Sequence, residues 1–230
     1  MFAIGAIAIA IAAISAYLAF AIKSGHIDMH HPRRIPVMTE LLGEMVIYVP
    51  VGAYLLAFLP AVSKRSLSEL GIRLPGAREI GIGLVGAILM TVAVDASGAL
   101  VSFLTHRQDI EAAIALLKQI KTPGETVLFI AIAVVFAPML EELGFRVFLF
   151  NSFARYTSVP IAVVLSGAFF GLVHAASLWQ LVTVSIPLAV GGIVLAIVYA
   201  WSRNYWSSVI THSVFNAIPL TLYFVFHVTT

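Results

Sequence analysis

The chain of 230 residues carries 13 Lys and Arg against 11 Asp and Glu, a net charge of +2, and no cysteine. It is 61% hydrophobic and only 10% charged, where a soluble domain carries about 25% charged residues, and its mean hydropathy is +1.04. These figures exclude a soluble domain, disulfides, thiolate metal sites and a cysteine nucleophile; with no basic run interleaved with aromatics, they also exclude nucleic-acid binding.

Seven apolar stretches are long enough to cross about 30 Å of hydrocarbon as helices. They run over 2–22, 41–62, 80–104, 127–150, 159–176, 181–201 and 208–228. A segment in lipid must satisfy its own backbone, so helices are expected and not strands. The reading is an all-α, polytopic membrane bundle of about seven to eight transmembrane helices, with short amphipathic surface helices. It forms a single transmembrane domain over 1–230, with a catalytic core over about 122–220. No cationic residue precedes the run Phe2–Ile22, which exceeds a signal-peptide core, so it reads as a retained first helix.

In chain order, the loop 23–40 holds Lys23, His26, Asp28, His30, His31, Arg33 and Arg34. It is a solvated loop, with His30 and His31 beside Asp28 as a weak metal-binding alternative. Loop 63–79 has Ser66-Leu67-Ser68-Glu69, the spacing of a capping box, then the stops Gly71 and Pro75. With Lys64, Arg65, Arg73 and Arg78 alongside, it predicts a short helix at the lipid surface. Ile110, Ala113, Ile114, Leu117 and Ile120 predict a second amphipathic helix. Thr122-Pro123-Gly124-Glu125 is a helix start, with a capping threonine, proline at the first position and glutamate at the third. Lys and Arg divide six to six between alternate sides, so orientation is not set by positive charge.

The chemistry concentrates at Glu141-Glu142-Leu143-Gly144-Phe145-Arg146, inside the fourth apolar stretch. Charge at membrane depth costs a few kcal/mol per residue, so such groups face cavities, pair together and mark function. Glu142 and Arg146 stand at i,i+4 with the acid first, the favourable order. Glu141 points about 100° away. One glutamate is neutralised by Arg146 while the other is free for chemistry. Pro138 and Gly144 bracket the pair and loosen the helix.

Further polar groups follow in separate apolar stretches: His174, then His212 with Asn216 at i,i+4. The fourth and fifth helices turn near Thr157, which puts Glu141 and His174 at one depth. His212 sits nearer its own turn at 204–207, at about 10 Å by the helical rise against more than 20 Å for the other two. The first hairpin must protrude or tilt for all three to meet. Asp95 is also intramembrane, Glu44 lies near a helix end, and His227 reads as interfacial.

A carboxylate and an imidazole sharing a water form a general base. A second imidazole with a carboxamide stabilises an oxyanion. The same Glu141, His174 and His212 are also a zinc ligand set, without the HExxH signature. Glu141-Glu142-x-x-x-Arg146, Phe170-x-x-x-His174 and His212-x-x-x-Asn216 together resemble the three motifs of the CAAX-protease and bacteriocin-processing intramembrane endopeptidases, over about 122–220. Leu70-Gly71-Ile72-Arg73 is similar to a feature upstream in bacterial members. The resemblance implies a peptidase acting on a membrane peptide or a prenylated or otherwise lipid-anchored protein tail. Glu141 and His174 would activate water, His212 and Asn216 would hold the oxyanion, and Glu142 and Arg146 would support the site. No metal cofactor is expected, with zinc as the alternative. The compact chain suggests a prokaryotic membrane. The rival class is a transporter or peptide-binding scaffold, with Asp95, Glu141 and His174 as a relay.

Overall fold

A computed structural model of the chain describes residues 2–27, 35–109 and 112–226, and among these it contains helices and no strands. We number eight helices: α1 Phe2–Lys23, α2 Val37–Ser63, α3 Ala77–Thr105, the short α4 Ala112–Leu117, α5 Pro123–Tyr156, α6 Val159–Leu172, α7 Gln180–Ser202 and α8 Tyr205–Phe226. Helices α2, α3, α5, α7 and α8 are each long and apolar enough to cross a membrane; α6 and the Ala8–Lys23 part of α1 are shorter apolar helices. Large apolar side chains face outward all round, among them Phe103, Leu104 and Val127, as a lipid-facing surface requires.

The start of α5 is set as its sequence dictates. The Thr122 hydroxyl accepts from the Glu125 N–H, and the Glu125 carboxylate accepts from the Thr122 N–H. Further on, α5 is not uniform. It widens into π turns at Ile132–Phe136 and Leu143–Phe150, leaving an α-helical turn, Ala137–Glu142, between them. Pro138 accounts for the first widening, because it lacks an N–H and its ring crowds the carbonyl four residues back. The Ala137 N–H accordingly bonds five back, to Ile132. The second π stretch ends where the Asn151 amide donates to the Arg146 and Val147 carbonyls.

Of the two predicted surface helices, one becomes a set of turns and the other is a short helix. Ser66–Gly71 is a set of capped turns: Glu69 accepts from the Ser66 N–H and hydroxyl, but Gly71 turns left-handed at φ +83° and stops propagation. A methyl at Gly71 would also stand 3.0 Å from the Arg203 carbonyl oxygen, so glycine is needed there. The other, α4, has six residues and packs Leu116 and Leu117 against Leu41, Phe129, Ile132 and Leu220. Ile110, Glu111, the histidine pair His30 and His31 with Asp28, and His227 lie outside the described residues.

Helices α6 and α7 approach closely through small residues. A Cβ on Gly167 would sit 2.7 Å from the Ile193 nitrogen, and one on Gly171 would collide with the Ser185 carbonyl. This contact fixes α7 behind α6 and brings the last turn of α6 against α5.

Candidate active site

Arg146 and Glu142 are fully buried, with Nη1 3.1 Å from Oε1. The same Oε1 lies 3.0 Å from Nδ1 of His212, and Oε2 accepts from the Ser208 hydroxyl. Arg146 also donates from Nη2 to the Gly192 carbonyl at 3.0 Å and lies 4.8 Å over the Phe170 ring. Helices α5, α6, α7 and α8 thus meet at one ion pair. The cost of burying it is offset by three partners on the carboxylate and by the carboxylate, carbonyl and ring around the guanidinium, although among the described residues Arg146 Nε has no hydrogen-bond partner.

Glu141, the next residue along, faces the other way. Its Oε2 lies 3.9 Å from Nε2 of His174 and 3.9 Å from Nε2 of His212. That is too long for direct hydrogen bonds, and among the described residues this buried oxygen has no hydrogen-bond partner. The other ring nitrogens are committed. Nδ1 of His174 lies 2.7 Å from the Phe170 carbonyl, which only accepts, so Nδ1 carries the hydrogen. Nδ1 of His212 faces Glu142, whose carboxylate already accepts from Ser208 and pairs with Arg146, so Nδ1 donates there too. In their neutral forms both Nε2 atoms are then acceptors. Three acceptors converging on one point call for a species that brings hydrogens or positive charge.

His174 lies just beyond α6, not within a helix as predicted. Its imidazole takes the Phe170 carbonyl, the acceptor that its own N–H would use in a continuing helix, and that N–H bonds to Gly171 instead. The equal-depth reading of Glu141 and His174 nonetheless holds. Protrusion takes up part of the depth difference of His212. Asn151, six residues before Thr157, donates to the hydroxyl of Tyr199, four residues before Arg203. The α5–α6 hairpin therefore runs about two residues, roughly 3 Å, beyond the α7–α8 turn. The π turns, which hold about one more residue per turn, also shorten the axial distance from Thr157 to Glu141.

Asn216 donates from Nδ2 to the Ala133 carbonyl at 2.8 Å. In the π register that carbonyl would bond five residues on, to Pro138, which has no N–H. Asn216 thus repairs the gap that Pro138 makes, and one amide N–H remains.

Glu141, His174, His212 and Asn216 all line one cavity of about 500 Å³. Its remaining wall comes from Glu40, Glu44 and Tyr48 of α2, Leu116 of α4 and apolar residues such as Met90, Phe129 and Phe215. Asp95 is not among them; it is exposed and lines a separate hollow with Arg107, Asp109 and Lys118. Among the described residues no group of three His, Asp or Glu is set to hold a metal ion.

Residues 123–218 are similar to a known family. A family model described as type II CAAX prenyl endopeptidase Rce1-like matches that segment. The resemblance read from the three motifs is borne out, and at the level of the family it points to a membrane-embedded CAAX-type protease. No curated protein and no solved structure matches the chain. The Rce1-like segment opens at the first residue of α5 and closes two residues past Asn216, so it contains the whole polar centre. The α2 and α4 walls of the cavity lie outside it.

Sequence reasoning missed Ser208 and the part played by Glu44. Ser208 stands four residues before His212, hence on its face, and that spacing was the available signal. Glu44 carried no comparable signal, because a lone acid near a helix end reads as snorkelling.

Proposed function

We propose that this chain is an intramembrane endopeptidase that hydrolyses a peptide bond in a membrane-associated peptide or a prenylated protein tail. The observation that carries the reading is the unpartnered Glu141 Oε2, 3.9 Å from two imidazole nitrogens on a cavity wall. A water bridges such a gap and donates to two of the three acceptors. Glu141, with His174 beside it, takes a proton from that water as its oxygen attacks the scissile carbonyl carbon. His212, held through Nδ1 by Glu142, takes a second proton on Nε2 from solvent before the substrate binds and then donates from Nε2 to the developing oxyanion. Asn216 contributes its remaining amide hydrogen. The proton on Glu141 then passes to the amide nitrogen as the C–N bond breaks, and the amine leaves. Glu142 and Arg146 position His212 and do not touch the substrate.

The mechanism uses side chains alone. Ligands about 2.0–2.2 Å from a tetrahedral zinc stand about 3.4 Å apart, closer than the 3.9 Å between Glu141 and either imidazole. The test is cleavage of a lipid-anchored peptide by the purified protein in liposomes. Glu141→Ala and His174→Ala should each abolish it, and cleavage undiminished in both variants sinks the mechanism. Activity that persists with chelators supports the metal-free reading, and activity lost to a chelator and restored by zinc overturns it.

A further inference from the structure

A second hollow, of about 520 Å³, opens at the other end of the bundle from the catalytic cavity. The separation is readable on α2. Glu44 lines the catalytic cavity and Leu59 the second hollow, and the fifteen residues between them span about 22 Å of helix. The hollow has two chemistries. Leu59, Val62 and Phe148 form an apolar wall continuous with the lipid-facing surface, and Val62 is 53% exposed. Lys64, Arg65 and Arg155 stand exposed at its rim. The neutral polar groups are spoken for: the Ser63 hydroxyl donates to Leu59, the Ser152 hydroxyl to Phe148, and the Asn151 amide to Arg146 and Val147. Of the three cations, Arg155 lies 5.6 Å over the Tyr156 ring, and Arg65 is near enough to Glu69 to add to the Ser66 hydrogen bonds that lower its pKa. Among the described residues none of the three forms a salt bridge.

The surrounding surface has the same sign. The turns at this end carry Lys64, Arg65, Arg73, Arg78, Arg155 and Arg203 against Glu69 and Glu79. Glu79 already faces Arg78 at 3.7 Å. Nothing in the proposed proteolysis uses this region. A ligand matching it has one anionic group at the membrane surface and apolar chains beneath, and basic pockets between transmembrane helices take such headgroups.

We propose that this hollow binds one anionic phospholipid, its phosphate between Lys64, Arg65 and Arg155 and an acyl chain along Leu59, Val62 and Phe148. The test is native mass spectrometry of the full chain in detergent, offered equal amounts of phosphatidylglycerol and phosphatidylcholine with identical chains. The wild type should retain one phosphatidylglycerol with a preference on the order of ten-fold or more. Lys64→Gln with Arg155→Gln should bring the preference to near parity. Ala154→Trp, which fills the hollow and keeps every cation, should remove the retained lipid. Arg73→Gln with Arg78→Gln, outside the hollow, should leave the preference standing. Equal retention of the two lipids by the wild type overturns the proposal. So does equal loss in the Arg73 and Arg78 variant, which would mean diffuse surface attraction. Displacement of the lipid by equimolar inorganic phosphate also overturns it, because the acyl chain would then contribute nothing.

Discussion

The knot behind Glu142 and the cavity in front of Glu141 are one residue apart in the chain and opposite in chemistry. Glu142 has every oxygen engaged, by Arg146, His212 and Ser208, and no exposure at all. Glu141 has a buried oxygen with no hydrogen-bond partner among the described residues, on the wall of a cavity. One helix turn thus supplies both a buried ion pair and a carboxylate oxygen without a hydrogen-bond partner among the described residues. A helix places consecutive residues about 100° apart, so adjacent side chains enter different surroundings. His212 joins the two, with Nδ1 toward the knot and Nε2 toward the cavity.

The contrast breaks in graded ways. The largest effect is on chemistry. Glu141→Gln keeps the side chain's shape and removes the base, so cleavage should fall about 10²–10⁴-fold, while thermal unfolding in detergent stays near the wild-type midpoint. A large drop in that midpoint would place Glu141 with the structural group instead. Arg146→Met should do the reverse to the fold. It leaves a buried carboxylate without its counter-ion and should destabilise by about 3–5 kcal/mol, read from equilibrium unfolding. Adding Glu142→Gln to it should recover part of that loss, because the two residues are coupled. Ser208→Ala should cost about 1–3 kcal/mol by removing one donor from a buried acceptor, with a smaller loss of cleavage than Glu141→Gln. Thr122→Ala sharpens the comparison from outside. It should cost about 1 kcal/mol through the lost helix cap and leave the cleavage rate of the folded protein unchanged.

The capped start of α5 was legible because capping is local: Thr122, Pro123 and Glu125 suffice to define it. The Glu142–Arg146 pair was legible for the same reason, as was the shared level of Glu141 and His174 across one hairpin. The end of α6 was not. It depends on an imidazole competing for a carbonyl, and a hydropathy pattern does not see that competition. Ser66–Glu69 shows the opposite error, since its capping bonds form as predicted but Gly71 prevents a helix from following. Asp95 was drawn into the polar set by depth alone, and packing of α3 turns it to a different hollow.

By itself the sequence determined that this is a helical membrane protein, roughly where its long apolar helices run, and which polar residues the apolar stretches carry. Those properties follow from composition and from spacing within single helices. Only the tertiary structure decided that His212 comes level with Glu141, that Asn216 mends the backbone at Pro138, and that α2 and α4 complete the cavity. Each of these depends on register between helices distant in sequence. That register is set by small-residue contacts such as Gly167 against Ile193, whose partners no single stretch of the chain reveals.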